Sequence, residues 1–231
     1  MLPGRRGITL LLLLVLGMNS GFGCQSDSPT ESMKVDRSLL IDPSQLTDRA
    51  PAIFAVHVTT SQGRFTVLVT RAWSPSGADR FYNLVKHGYY DDVRFFRVIE
   101  NFVAQFGING DPIIQRHWRE ATIPDDTPAG ADRQSNKRGY ITFSKTGAPD
   151  SRTTQLFINL KDNAAIDSQG FTPFGQVAIG MEVVDRLYKG YGEGMPRGLG
   201  PDQGRIQTEG NAYLIDGFPR LDYIQSARLV D

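Results

Sequence analysis

At 231 residues with 40% hydrophobic side chains, the chain has room for one ordinary domain with extensions and enough apolar side chains for a normal core. Lysine plus arginine and aspartate plus glutamate each total 25, which leaves no electrostatic footprint for nucleic acid or an anionic membrane surface. Cys24 is the only cysteine, which excludes an intrachain disulfide and a cysteine metal cluster.

The first element in chain order is a leader. Arg5 and Arg6 precede the apolar run Ile8 to Leu16, and small residues continue to Gly23-Cys24. This is the layout of an export signal over 1–23, and the run is too short to span a bilayer as a stable helix. Cys24 resembles the acylated residue of a bacterial lipoprotein, although Gly21 stands where that pattern usually has leucine and Phe22 is bulky for its place. A lipidated Cys24, a secreted chain with free Cys24 and an uncleaved anchor all put the domain outside the cytoplasm, in the cell envelope or secreted. Residues 24–50 read as a tether, because Gln25 to Arg49 is polar, contains Pro29 and Pro43 and has no aromatic residue. The alternative is a strand or helix docked on the domain.

The pattern changes at Ala52. Phe54, Val56 and Val58 alternate with polar or small neighbours, Ser61-Gln62-Gly63-Arg64 turns, and Phe65, Val67 and Val69 alternate again, which predicts a hairpin with one buried face. After Ser74-Pro75-Ser76, the residues Phe81, Leu84 and Val85 recur at helical spacing up to His87-Gly88, giving an amphipathic helix with a capping start and a glycine stop. Short strands follow at Val93 to Ile99, Val103 to Phe106, Tyr140 to Phe143, Leu156 to Leu160 and Phe174 to Val177. A second helix fits Met181 to Tyr188, and Gly190 to Gly200 cannot extend it. Many short strands with two helices predict a mainly β domain over 51–231, a closed or nearly closed antiparallel barrel, with an extended tail over about 190–231. Tyr213, Leu214, Phe218, Leu221 and Tyr223 suggest that this tail packs on the barrel.

The segment from Phe95 to Gly107 presents one fixed cation, Arg97, one amide, Gln105, and apolar Phe102 and Val103, with no nucleophile. Such a set suits binding and twisting a bond, not breaking one. It stands on one surface only if the segment folds back on itself.

Four islands in order carry a resemblance to the cyclophilin family of peptidyl-prolyl isomerases over about Ile53 to Ile179. They are Asp79 to Val85 with Gly88-Tyr89-Tyr90-Asp91, then Phe95 to Ile99 with Phe102 to Gly107. Gly139 to Ser144 with Thr154 to Asn159 follow, and last Ile166-Asp167 with Phe171 to Val177. The resemblance implies a closed antiparallel eight-stranded barrel capped by two α-helices and an isomerase assisting the folding of exported or envelope polypeptides. It implies no cofactor, proline-containing polypeptides as partners, and a monomer tied to a membrane only if Cys24 is acylated. It puts Arg97 at the catalytic arginine and Phe102, Val103, Phe157 and Ile166 at the proline pocket. Gln105 falls where an amide meets substrate backbone, Gln155 beside it or bracing the barrel, Ser144 and Lys145 on the loop lining the cleft, and Phe171 at the pocket edge. Phe96 stands where many members have histidine and Val103 where methionine is common, from which a more apolar cleft is expected. Ala164-Ala165 precede Ile166 where many eukaryotic members carry the tryptophan that binds cyclosporin, so weak binding of that drug is expected.

Other constellations fail. His57, His87 and His117 lie far apart with no i, i+4 pair for zinc. Asp91-Asp92 and Asp125-Asp126 are adjacent pairs among turn formers, poorly placed for paired-carboxylate hydrolysis. Tyr191-Gly192-Glu193-Gly194 follows a helix where a phosphate loop would precede one, and no serine sits in a nucleophile elbow. Two further classes keep the same fold: a non-catalytic proline-peptide binding module or holdase chaperone, and a structural envelope lipoprotein with a decayed cleft.

Overall fold

A computed structural model describes residues 1–2 and 36–230. The chain divides into two units, Met1–Lys34 and Val35–Asp231, and the second holds every strand and helix described. The predicted signal over 1–23, Cys24 and the first part of the tether, to residue 35, lie outside the described residues, apart from residues 1–2.

The remainder of the predicted tether is not a free spacer. Residues 38–41 and 43–45 form short 3-10 turns, and Leu40, Leu46 and Ala50 are buried in the main core. The indole of Trp118 donates to the Leu40 carbonyl at 2.7 Å, and the amides of Asp48 and Ala50 donate to Asn83 and Asp79. The polar composition hid this because only three residues of the segment are apolar anchors, while its backbone groups are taken up by side chains of the domain.

Among the described residues eight strands make one curled sheet: β1 (Ile53–Thr60), β2 (Gly63–Thr70), β3 (Arg97–Ile99), β4 (Val103–Phe106), β5 (Tyr140–Phe143), β6 (Leu156–Asn159), β7 (Pro173–Ile179) and β8 (Ile224–Leu229). Their order is β3-β4-β6-β5-β7-β2-β1-β8, with every pair antiparallel. The expected closed barrel is an open half-barrel. The outer strands β3 and β8 share no ladder; their flanks are joined by the isolated Arg94–Tyr223 bridge, the Asp92 amide on the Ile224 carbonyl and the Asp91–Arg228 ion pair. The predicted strand from Val93 shrinks to three residues for the same reason: Asp92 turns at φ 63°, and the amide of Phe95 bonds Asp222 instead of extending a ladder.

There are four helices among the described residues, not two. They are α1 (Pro75–Lys86), α2 (Pro112–Trp118), α3 (Met181–Asp185) and α4 (Gln203–Gly217), the last kinked at Gly210. A Cβ at Gly210 would collide with the Gly110 carbonyl oxygen, so the absence of a side chain lets α4 touch the backbone that leads into α2. Alternation puts Phe54, Val56, Val58, Phe65, Val67 and Val69 inside, where the α1 residues Phe81, Leu84 and Val85 cover them. A second, smaller cluster forms beneath the tail from Phe96, Ile108, Ile206, Tyr213, Leu214 and Leu221.

The start of α1 is capped from a distance. Asp126 accepts the amides of Ser76 at 3.0 Å and Gly77 at 3.1 Å, the Ser74 hydroxyl, and the guanidinium of the fully buried Arg152 at 2.9 Å. Asp125, its neighbour, pairs with Lys145 and also lies 3.4 Å from the Arg152 guanidinium, so the two carboxylates share Arg152 while only Asp125 reaches Lys145. Burial opposes ionisation of Asp126, but the hydrogen bonds from Ser74 and Ser76 and the charge of Arg152 hold its carboxyl below the ordinary value of 3.8.

Replacing Asp126 with alanine therefore strips Arg152 of its closest carboxylate and is expected to cost about 3–5 kcal/mol in urea unfolding. The carboxylate stabilises fully above the unfolded aspartate pKa of about 3.9, and its contribution disappears as pH falls through the lower folded value. The gap between wild type and Asp126→Ala should accordingly be constant at neutral pH and close in strong acid.

Candidate active site

Three strands place three unlike side chains in one row. In the antiparallel register Arg97 on β3 lies opposite Gln105 on β4, and Gln105 lies opposite Phe157 on β6. Cross-strand partners share a face, so cation, amide and ring stand side by side. The alternate positions Val98, Ala104, Phe106, Leu156 and Ile158 point the other way, into the main core. The reversal between β3 and β4 is tight: Asn101 sits at φ 55°, and the Phe102 amide donates to the Ile99 carbonyl at 3.0 Å.

The row forms one flank of a groove of about 430 Å³. Arg97, Phe102, Val103, Gln105, Ser144, Lys145, Phe157, Ile166 and Phe171 all line it, together with Gln169 and Arg197. Phe157 and Phe171 meet edge to face at 5.7 Å, and the Arg97 guanidinium lies 5.8 Å from the centre of the Phe102 ring. Gln155 does not line this groove. It lines the adjoining cavity with Ser144, Lys145 and Gln105.

A chain of polar contacts fixes the cation. Arg97 Nη1 donates to Gln105 Oε1 at 3.1 Å, and Gln105 Nε2 donates to Gln155 Oε1 at 3.0 Å. On the other side Arg97 Nε and Nη2 donate to the two carboxylate oxygens of Glu193, at 2.6 and 2.8 Å. That pairing, with help from the Gly194 amide and the charge of Arg197, holds the Glu193 carboxyl below its ordinary value despite partial burial. Lys145 is not a solvated lysine, since its ammonium is paired with Asp125.

Glu193, Arg197 and Gln169 are the site residues that sequence reasoning missed. None carries a periodicity, and Glu193 lies 96 residues from the arginine it meets. Phe96 is a correction of a different kind. It is buried beneath the tail, in the cluster with Tyr213 and Leu214, so it adds to a second core and does not line the groove. Phe96 precedes β3, and its ring is taken up by the apolar cluster of Ile206, Tyr213, Leu214 and Leu221 instead of the main core that holds Phe95 and Val98.

A family model described as cyclophilin type peptidyl-prolyl cis-trans isomerase/CLD matches residues 55–203. A peptidyl-prolyl cis-trans isomerase of Streptomyces antibioticus is 34% identical over 150 residues, covering 62% of this chain and 87% of that relative. Peptidyl-prolyl cis-trans isomerase A of Dickeya dadantii is 34% identical over 151 residues, covering 62% of this chain and 77% of the relative. Among solved structures, a cyclophilin type peptidyl-prolyl cis-trans isomerase of Cryptosporidium parvum superposes with a TM-score of 0.56 at 18% identity, over 78% of this chain and 98% of that one. A second structure of that protein was determined in the presence of the dipeptide Ala-Pro, with a TM-score of 0.54, 18% identity and coverage of 77% and 99%.

Substituting Phe96 with alanine should lower stability by about 3–5 kcal/mol while leaving the affinity of the groove for a proline peptide within twofold. Chemical denaturation and a peptide titration on the same sample check both halves.

Proposed function

The chain belongs to the cyclophilin-type peptidyl-prolyl cis-trans isomerases, and from that premise we propose that Arg97 is its catalytic cation, acting on X-Pro bonds of exported or envelope polypeptides. The row Arg97–Gln105–Phe157 beside an apolar groove is the observation that carries the proposal.

Resonance gives the imide C–N bond partial double-bond character and a rotation barrier of roughly 18–20 kcal/mol. Uncatalysed exchange at proline consequently takes tens to hundreds of seconds. At the twisted midpoint the nitrogen recovers a localised lone pair. A guanidinium within hydrogen-bond reach stabilises that state more than the planar ground states, which is the requirement for catalysis. Arginine suits the task because it stays charged at every relevant pH and offers its donors in a rigid fork. Phe102, Val103, Phe157, Ile166 and Phe171 take the pyrrolidine ring and exclude water, which strengthens the arginine contact. Gln105 offers its amide to the peptide backbone, with Ser144 and Lys145 along the groove and Gln155 bracing Gln105. Five decades of acceleration correspond to about 7 kcal/mol at about 1.4 kcal/mol per decade, so the fit of the ring and backbone must add to one charge-assisted contact. No covalent bond is made or broken, and the reaction needs no cofactor.

The leader over 1–23 and the placement of Cys24 support a lipid-anchored or secreted form with envelope clients. Intact mass after expression in the native envelope should show a Cys24 amino terminus carrying acyl chains, and a mass matching unmodified Cys24 would contradict anchoring.

Arg97 also separates a catalyst from a binding module, which has no use for a cation at the imide nitrogen. In a protease-coupled assay on a proline tetrapeptide, Arg97→Ala should lower kcat/KM by about 10²–10³ while the peptide still binds. Equal exchange by wild type and Arg97→Ala would favour the binding module.

A further inference from the structure

We propose that Glu193 is a positioning residue of the isomerase site, holding the Arg97 guanidinium in its working orientation from the tail. This inference rests on the assignment of Arg97 as the catalytic cation.

The contact is two-pronged. Both carboxylate oxygens are used, one on Nε and one on Nη2, so rotation of the guanidinium about its last torsion breaks at least one bond. Gln105 takes Nη1, and each arginine nitrogen thus has a fixed partner. The pair is partly withdrawn from water, with side-chain exposures of 16% for Arg97 and 32% for Glu193, which limits screening. Arg97 lines the groove but Glu193 does not, so the carboxylate meets the guanidinium without forming part of the groove lining. This is the arrangement of a brace. A plug would stand in the groove itself.

The backbone around Glu193 is built to hold it there. The Gly200 amide donates to the Glu193 carbonyl at 2.9 Å, and the Gly194 amide donates to its carboxylate at 3.0 Å. A Cβ at Gly198 would collide with the Glu193 carbonyl oxygen and one at Gly200 would lie 2.8 Å from it, so the glycines let the loop close on this residue. Tyr191, two residues before it, stacks edge-on against Tyr188 and Phe218, each at 5.1 Å, and joins the cluster that buries Phe96. The tail therefore grips this segment twice, through the ring of Phe96 just before β3 and through the guanidinium of Arg97 at its start.

A carboxylate against the cation lowers the charge presented to the imide, and fixed orientation offsets this because a mobile arginine would have to be ordered during each turnover. The effect should appear in kcat and not in binding, since the groove walls are untouched. The full chain carrying Glu193→Ala, Glu193→Gln, Arg97→Ala or both alanines is assayed on one proline tetrapeptide, with thermal melts alongside. Glu193→Ala is expected to lower kcat by about 10–100-fold with KM within about threefold, and Glu193→Gln, which keeps one acceptor, to recover part of the loss. The double variant should be no slower than Arg97→Ala alone, because the brace acts only through the arginine. Unchanged or faster turnover by Glu193→Ala, or a loss that adds fully to that of Arg97→Ala, overturns the proposal. An Arg97→Ala variant as active as wild type would instead overturn the assignment of Arg97. Gly200→Ala, which displaces the loop backbone but keeps the carboxylate, should reproduce the kcat loss in milder form, and wild-type kcat there also contradicts the brace.

Discussion

The proposed role of Arg97 depends on one constraint: a guanidinium must stay at a fixed angle beside an apolar hollow while its side chain remains long and intrinsically flexible. An arginine free to sample its rotamers would present its charge to the imide nitrogen only part of the time, and ordering it would add to the barrier. The register of β3, β4 and β6 solves the first half of this problem by setting Arg97, Gln105 and Phe157 in adjacent ladder positions. Hydrogen bonds at the tip of the side chain solve the second half, with Gln105 on one edge and Glu193 on another.

Those local contacts call on most of the fold. Three-residue β3 is too short to be held by its own ladder, and among the described residues β4 is its only strand partner. The open edge of the half-barrel is the price of that shortness. The tail compensates: α4 and the loop before it cover Phe96, and β8 continues the sheet beyond β1 while the Arg94–Tyr223 bridge ties its start to the approach of β3. The tail thus supports the groove lining, since the same packing that buries Phe96 brings the Glu193 carboxylate onto Arg97. Farther along, Asp126 links the start of α1 to Arg152, and Asp125 holds Lys145 against the groove.

Much of this architecture is legible in the residues themselves. The alternation of Phe54, Val56 and Val58 and of Phe65, Val67 and Val69 specifies β1 and β2 because a half-buried strand repeats every two residues. Phe81, Leu84 and Val85 mark α1 by their helical spacing. Phe102, Val103, Phe157, Ile166 and Phe171 can be named because their segments resemble a family whose pocket they match, and all five line the groove. What stays hidden lacks a local period. Glu193 sits in a glycine-rich turn, where the backbone path is set by close approach and not by side-chain patterning. Ile206, Tyr213 and Leu214 do share a helical face in α4, but Gly204 and Gly210 interrupt the signal, and the kink at Gly210 makes one helix look like none. The docking of residues 36–50 escapes because side-chain amides and carboxylates of the domain, which have no sequence signature, take up its backbone groups. Phe96 misleads for the opposite reason: a substitution at a familiar position suggests a change in the cleft, whereas the ring joins the tail cluster with Ile206, Tyr213 and Leu214.

A structure of the domain with a bound proline tetrapeptide tests the central claim most directly. The account predicts the pyrrolidine ring between Phe102 and Phe157, with an Arg97 nitrogen within about 3.2 Å of the imide nitrogen or of the adjoining carbonyl oxygen. A peptide seated elsewhere, or an Arg97 side chain turned away from the ring it should serve, would contradict it.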